Sequence, residues 1–385
     1  MNDVDRTSHI AAALERASET PYDRAWSMPS DLYRDPAVLA LEREHLFRRE
    51  WICIGRVEEI QEPGDYLALE ILDEPIVAVH GADGKIRAFS NVCRHRGMPI
   101  AQGSGNARAL MCPYHHWSYD TTGRLIAAPR MPARPDFDPS ACRLPELAVE
   151  SWQGFLFVSL AADPAPLAPQ LAALEALIRP YHLGETTVRY AATEVWPTNW
   201  KNLLENFMEG YHLSALHHDT LHQVNPTRLC RHFPPGDAYF GYYAGFTPEM
   251  PRAHRGHPDL KDAERDTCVM FAVPPGFAVG CASDYGSFLC IQPEAIDRVR
   301  IKLGLIFYGT DWTPAEIDWA VDLYQNTMAE DKTVLVNLAR GLRSRHYESG
   351  PLSPADYEGT VLDFYRYLSR RLGPALRAAT EEIRP

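Results

Sequence analysis

No apolar run in this 385-residue chain is long enough to cross a bilayer as a helix, and the first thirty residues hold no signal-peptide hydrophobic stretch. A membrane partner is therefore not expected. Basic residues are also scarce: 38 Lys and Arg face 51 Asp and Glu, for a net charge of −13. Nucleic-acid binding relies on Lys and Arg to neutralise phosphates, so nucleic acid is not an expected partner either. The eight Cys show no disulfide framework, and those outside the motif below (Cys53, Cys142, Cys230, Cys268, Cys281, Cys290) read as buried thiols of a reducing compartment. On that basis the chain is expected to be cytoplasmic. Internal repeats and low-complexity tracts are lacking, as are a Gly-rich dinucleotide fingerprint and a plant-type C-x4-C-x2-C run. What remains is an ordinary globular composition, 45% apolar and 23% charged, at a length that suits two domains.

Against that background two short runs stand out. Cys93-Arg94-His95 and Cys112-Pro113-Tyr114-His115 read C-x-H, a spacer of 16 residues, then C-x-x-H. Two thiolates and two imidazoles in that order suit a [2Fe–2S] centre with one iron on sulfur and the other on nitrogen, the Rieske arrangement. A Cys2His2 zinc site is the alternative, although zinc fingers usually keep the Cys as one close pair and the His as another. His116 competes with His115 as the second imidazole, but the C-x-x-H spacing selects His115.

Some ninety residues further on comes the segment 199–217, which contains Glu205-Asn206-Phe207-Met208-Glu209-Gly210-Tyr211-His212-Leu213 and ends at His217. On a straight helix His212 and His217 diverge by about a hundred degrees or more, so they share a metal only if the helix ends or kinks. Glu209 lies one helical turn before His212, on the same face.

At this point the chain resembles the large (alpha) subunit of Rieske non-haem iron oxygenases. The resemblance covers about residues 33–372 and leans towards the glycine betaine, choline and carnitine type. It implies a mononuclear Fe(II) held by His212, His217 and a downstream carboxylate, a facial triad that leaves open positions for O2 and substrate. Asp331 is the expected third ligand, with Glu330 and Asp322 as competitors. Glu209 falls on the carboxylate that bridges the two metal centres in the family, and with Asn206 forms the candidate catalytic pair. Phe207, Leu213 and Tyr243 are the candidate substrate contacts. Tyr239, Phe240, Tyr242 and Phe246 are further members of an aromatic run that could cage a cation.

The resemblance also implies an α+β fold: an all-β Rieske domain and a helix-grip-like catalytic domain with one antiparallel sheet and long helices. We expect an N-terminal arm at 1–45, the Rieske domain at 46–160 and the catalytic domain at 161–385. Strands are read at 65–70, 75–80, 188–196, 238–245, 268–273, 287–292 and 298–307, and helices at 171–178, 314–342 and 354–372. Asp83-Gly84 and Thr122-Gly123 mark hairpin turns. The implied activity is the oxygenase component of a multicomponent monooxygenase. It would hydroxylate or N-demethylate a small quaternary ammonium compound with O2 and electrons from a separate flavin/iron–sulfur NAD(P)H reductase. The implied assembly is a homotrimer or a dimer of trimers. Aromatic-ring hydroxylation or O-demethylation is the alternative enzyme reading, and a Rieske electron carrier the non-enzyme one.

Overall fold

A computed structural model describes residues 3–131, 135–249 and 255–382. The chain divides into two units, 47–165 and a discontinuous one made of 1–46 with 166–385.

Short alternating runs punctuated by Gly turns make the 47–165 unit all β. Seven antiparallel strands form one sheet in the order 51–56, 155–159, 146–152, 86–90, 74–80, 65–71, 103–106. A second, three-stranded sheet joins Ala109–Met111, Ser118–Asp120 and Leu125–Ala127. The two expected hairpin turns are present, with Gly84 and Gly123 both at positive φ. Gly123 is required twice over, because a Cβ there would run into the Phe89 ring. Val77, Val79 and Phe89 of the large sheet share one buried core with Leu110, Tyr119 and Leu125 of the small one. Cys93 and Cys112 belong to that same core.

In the other unit, seven antiparallel strands run in the order 187–196, 298–307, 285–295, 277–281, 267–273, 240–245, 230–233. The unit's first strand in the sequence, 187–196, pairs with its last, 298–307, Ala192 opposite Leu303 and Glu194 opposite Ile301. Two strands escape the sequence reading. Phe277–Cys281 is buried at every position and so lacks the alternation that reveals a strand. Pro274-Pro275-Gly276 is the turn that joins it to Thr267–Val273. Cys230–Phe233 is a four-residue edge strand.

The expected N-terminal arm opens with a helix, Asp3–Glu19, that packs along the C-terminal helix Ala355–Glu382. The latter runs ten residues beyond its expected end and carries Pro374 inside it. The helix Trp200–Phe207 supports the site. Its first turn is capped by Asn199, whose side chain accepts from Lys201 N at 2.9 Å. Lys201 is completely buried and pairs with the equally buried Glu42 at 2.6 Å, and Trp200 Nε1 donates to the other Glu42 oxygen at 2.8 Å. Such a pair is costly to bury and more costly to break, so it anchors the helix to the N-terminal segment. Among the described residues, no helix is long and apolar enough to cross a membrane.

Candidate metal centres

The two Cys/His loops are built to one plan. Cys93 N donates to Met98 O (2.9 Å) and Gly97 N to Cys93 O (3.0 Å); Cys112 N donates to Trp117 O (2.8 Å) and His116 N to Cys112 O (3.0 Å). Each loop therefore closes five residues after its Cys and turns at a left-handed residue, Gly97 in one and His116 in the other. The plan buries both thiols and brings His95 Nδ1 to 3.1 Å from His115 Nδ1. His116 occupies the turn position, and it is His115 that meets His95. Trp117 stacks on His95 with ring centroids 4.9 Å apart. Tyr119, whose role the motif did not signal, places its hydroxyl 3.5 Å from Cys93 Sγ and accepts from Arg94 N at 3.0 Å. Burial raises the Cys112 thiol, and the neighbouring Cys93 adds to the rise. Burial and the nearby His95 keep His115 below the usual imidazole range. Two crowded thiols and two facing imidazoles are the donor set a Rieske cluster needs.

The second group departs from the sequence picture in one respect. The helix stops at Phe207, before either histidine. Met208 caps it, and Gly210, whose N donates to Tyr357 O at 2.8 Å, leaves no room for a Cβ against Cys230. Each histidine then opens a turn of its own: Leu216 N reaches His212 O (2.8 Å) and His222 N reaches His217 O (2.9 Å). Freed from helical geometry, the rings approach to 5.0 Å between centroids at 67°.

The helix Pro314–Gly341 supplies the carboxylate. Asp331 Oδ1 lies 3.2 Å from His217 Nε2 and 3.7 Å from His212 Nε2. Asn206 Nδ2 donates to the same oxygen at 2.9 Å. The three side chains form a group able to hold one metal ion, and His217 Nε2 is fully buried with no hydrogen bond of its own. A buried, unpaired nitrogen beside a carboxylate fits a ligand atom and fits little else. Glu330 instead meets the opposite edge of His217, with Oε2 2.7 Å from Nδ1, and Asp322 is exposed. Glu209 contacts His212 Nδ1 and accepts from His212 N at 3.1 Å. Burial lowers the His212 imidazole, but Glu209 and then Asp331 outweigh it and leave it raised.

A cavity of about 150 Å³ opens beside this group. Phe207 and Leu213 line it as expected, together with Asn206, Tyr242, Phe246, Tyr285 and Tyr324. Tyr243 does not. Strand alternation sends Tyr242 and Ala244 into the cavity and Tyr243 to the opposite face, where it packs on Phe233 with centroids 5.1 Å apart. Tyr239 and Phe240 also lie outside the lining. Asn225 of a loop and Tyr285 and Ser287 of the strand Tyr285–Ala295 were missed, because nothing in a segment's own sequence shows which cavity it meets.

Fold and donor sets together define a two-centre iron oxidoreductase. The Rieske [2Fe-2S] domain family matches residues 50–149, and the catalytic domain of ring-hydroxylating alpha subunits matches residues 183–374. The chain belongs to the Rieske oxygenases, whose cofactors are a Rieske [2Fe–2S] cluster and a mononuclear iron. It is 41% identical over 218 residues to the glycine betaine monooxygenase oxygenase subunit of Chromohalobacter salexigens, a match spanning 56% of this chain and 49% of that protein. To the carnitine monooxygenase oxygenase subunit of Acinetobacter baumannii it is 28% identical, over 84% of this chain and 87% of that one. The fold superposes on the quaternary ammonium Rieske monooxygenase CntA with a TM-score of 0.82 at 24% identity, covering 93% of this chain and 98% of that one. Naphthalene 1,2-dioxygenase from Rhodococcus sp. gives 0.78 at 21% identity, covering 95% and 98%.

Proposed function

We propose that this chain is the oxygenase component of a monooxygenase that hydroxylates or N-demethylates a small quaternary ammonium compound. The observation that carries the reading is the aromatic cavity beside His212, His217 and Asp331. Phe207, Tyr242, Phe246, Tyr285 and Tyr324 offer a methylated ammonium group ring faces. Among the described lining residues there is no Lys or Arg to repel it. An apolar cavity of about 150 Å³ is benzene-sized, which suits one trimethylammonium head. The relatives named for glycine betaine and carnitine support the same class.

In this reading Cys93, His95, Cys112 and His115 hold the cluster, and His212, His217 and Asp331 hold Fe(II). When bound, the mononuclear iron supplies the activation of O2 that the side chains cannot. The residues do the rest. Asn206 steadies Asp331, the aromatic wall orients the methyl group towards the triad, and the apolar lining limits water. Insertion of one oxygen atom into an N-methyl C–H bond gives a carbinol, which breaks down to the amine and formaldehyde; the second atom leaves as water with two electrons and two protons. Those electrons come from a separate flavin/iron–sulfur NAD(P)H reductase. We further propose a head-to-tail trimer, or two such trimers, in which Glu209 links His212 to His115 of the partner subunit. The CntA structure is described in terms of inter-subunit electron transfer. The six Cys outside the cluster loops, which show no disulfide framework, support a cytoplasmic location.

The test is a single turnover of chemically reduced protein with O2 against betaines, carnitine and choline on one side and aromatic acids on the other. Formaldehyde from a methylammonium substrate is the expected result. Oxidation of the aromatic panel alone would reassign the chain to ring hydroxylation.

A further inference from the structure

Neighbouring residues on a helix point about a hundred degrees apart, and Pro314–Gly341 uses that divergence to clasp one imidazole from two sides. Asp331 Oδ1 stands 3.2 Å from His217 Nε2, and Glu330 Oε2 stands 2.7 Å from His217 Nδ1. Only one of these nitrogens can carry the proton of a neutral ring. For Nε2 to present a lone pair to a metal, the proton must sit on Nδ1, where Glu330 accepts it.

The same Glu330 oxygen also accepts from Thr220 Oγ1 at 2.8 Å. Thr220 closes the turn that His217 opens, with its N donating to His217 O at 3.1 Å. Directly behind it the chain sends Leu221 and Asn225 into the cavity lining, and Asn225 Nδ2 is held by Ala244 O at 3.1 Å. One carboxylate oxygen therefore holds both a candidate ligand and the root of the adjacent cavity wall.

We propose that Glu330 is a positioning residue. It fixes His217 in the Nδ1–H tautomer and, through Thr220, ties that ligand to the wall carrying Leu221 and Asn225. The inference rests on the reading of His212, His217 and Asp331 as an iron site.

The variants are Glu330→Leu, Glu330→Gln and Thr220→Val in the full chain. Fe(II) affinity is read anaerobically by chelator competition, the Co(II)-substituted protein by its visible spectrum, and folding by circular dichroism. Loss of a carboxylate behind a ligand imidazole typically weakens metal binding about 10–100-fold, and that is the result expected for Glu330→Leu. Glu330→Gln keeps an acceptor oxygen and should stay within a few-fold of the parent, with an unchanged Co(II) spectrum. Thr220→Val should bind metal normally but raise KM, since only the wall is released. Parental affinity in Glu330→Leu would overturn the inference, as would a Glu330→Gln variant no better than Leu. If the parent itself holds no ion that His212→Ala abolishes, the iron reading falls and takes the inference with it.

Discussion

Glu209 carries three bonds within four residues of chain: its carboxylate accepts from the backbone N of Tyr211 and of His212 and meets His212 Nδ1. It is therefore part of the turn as well as partner of the ring. Glu209→Gln retains one acceptor oxygen but loses the charge that helps hold His212 raised. Both metals should remain at parental stoichiometry by iron analysis, while turnover falls about tenfold or more. Parental turnover in that variant would remove Glu209 from the electron path proposed above. At this scale the sequence was informative where chemistry dictates residue type. That the paired His of the Cys/His loops, and His212, His217 and Glu209, would lie together was legible because few other side chains serve metal ligation. Glu330 was weighed only as a rival ligand, because spacing along a helix does not say which edge of a ring a neighbour will meet.

The paired Cys/His loops show what an element demands of its residues. Position 97 holds Gly at the left-handed turn, and position 116 holds His with φ 58° in the equivalent place. A residue with a Cβ pays about 1 kcal/mol or more for that conformation, and His116 makes the turn without being one of the two facing imidazoles. His116→Gly should therefore stabilise the 47–165 unit by about 1 kcal/mol and raise its melting temperature by several degrees. A thermal melt of the cluster-loaded chain, followed by the visible absorption of the cluster, is the check. Strands with one wet face were readable from alternation, as at Thr187–Trp196. Phe277–Cys281 was not, since burial on both faces erases the pattern. The early end of the helix at Phe207 was invisible too. It depends on Gly210 fitting against Cys230 and on Tyr357 waiting to accept its N–H, both tertiary facts.

On the scale of the whole chain, three distant segments meet at one buried carboxyl. Glu205 lies on the helix Trp200–Phe207, and Tyr33 from the N-terminal segment places its hydroxyl 2.8 Å from Oε1. Tyr365 of the C-terminal helix lies 3.2 Å from the Tyr33 hydroxyl. Burial pushes Glu205 up to about 8, with Tyr33 and Lys201 only partly opposing it. The folded chain thus keeps this proton up to about pH 8, whereas the unfolded chain releases it near the usual carboxyl value of 4.5. Between those values the native state binds more protons than the unfolded one, so stability falls as pH rises. Its contribution is full below pH 4.5 and is lost by about pH 8, on the order of 5 kcal/mol. Glu205→Gln holds no such proton. Urea denaturation at pH 5 and pH 8 should show the parent losing stability relative to the variant, and parallel profiles would refute it.

The interrupted layout of the larger unit bears on how the chain leaves the ribosome. Residues 47–165 are continuous and emerge as a block, but the unit formed by 1–46 and 166–385 lacks the helix Ala355–Glu382 until much later in synthesis. Domains made first generally fold first. On the reading proposed above, the pocket of Cys93, His95, Cys112 and His115 would then be ready while the carboxylate of Asp331 is still unmade, so the two iron centres of one polypeptide would fill at different times, and a shortage of cluster supply would strike the nascent chain before a shortage of Fe(II) could.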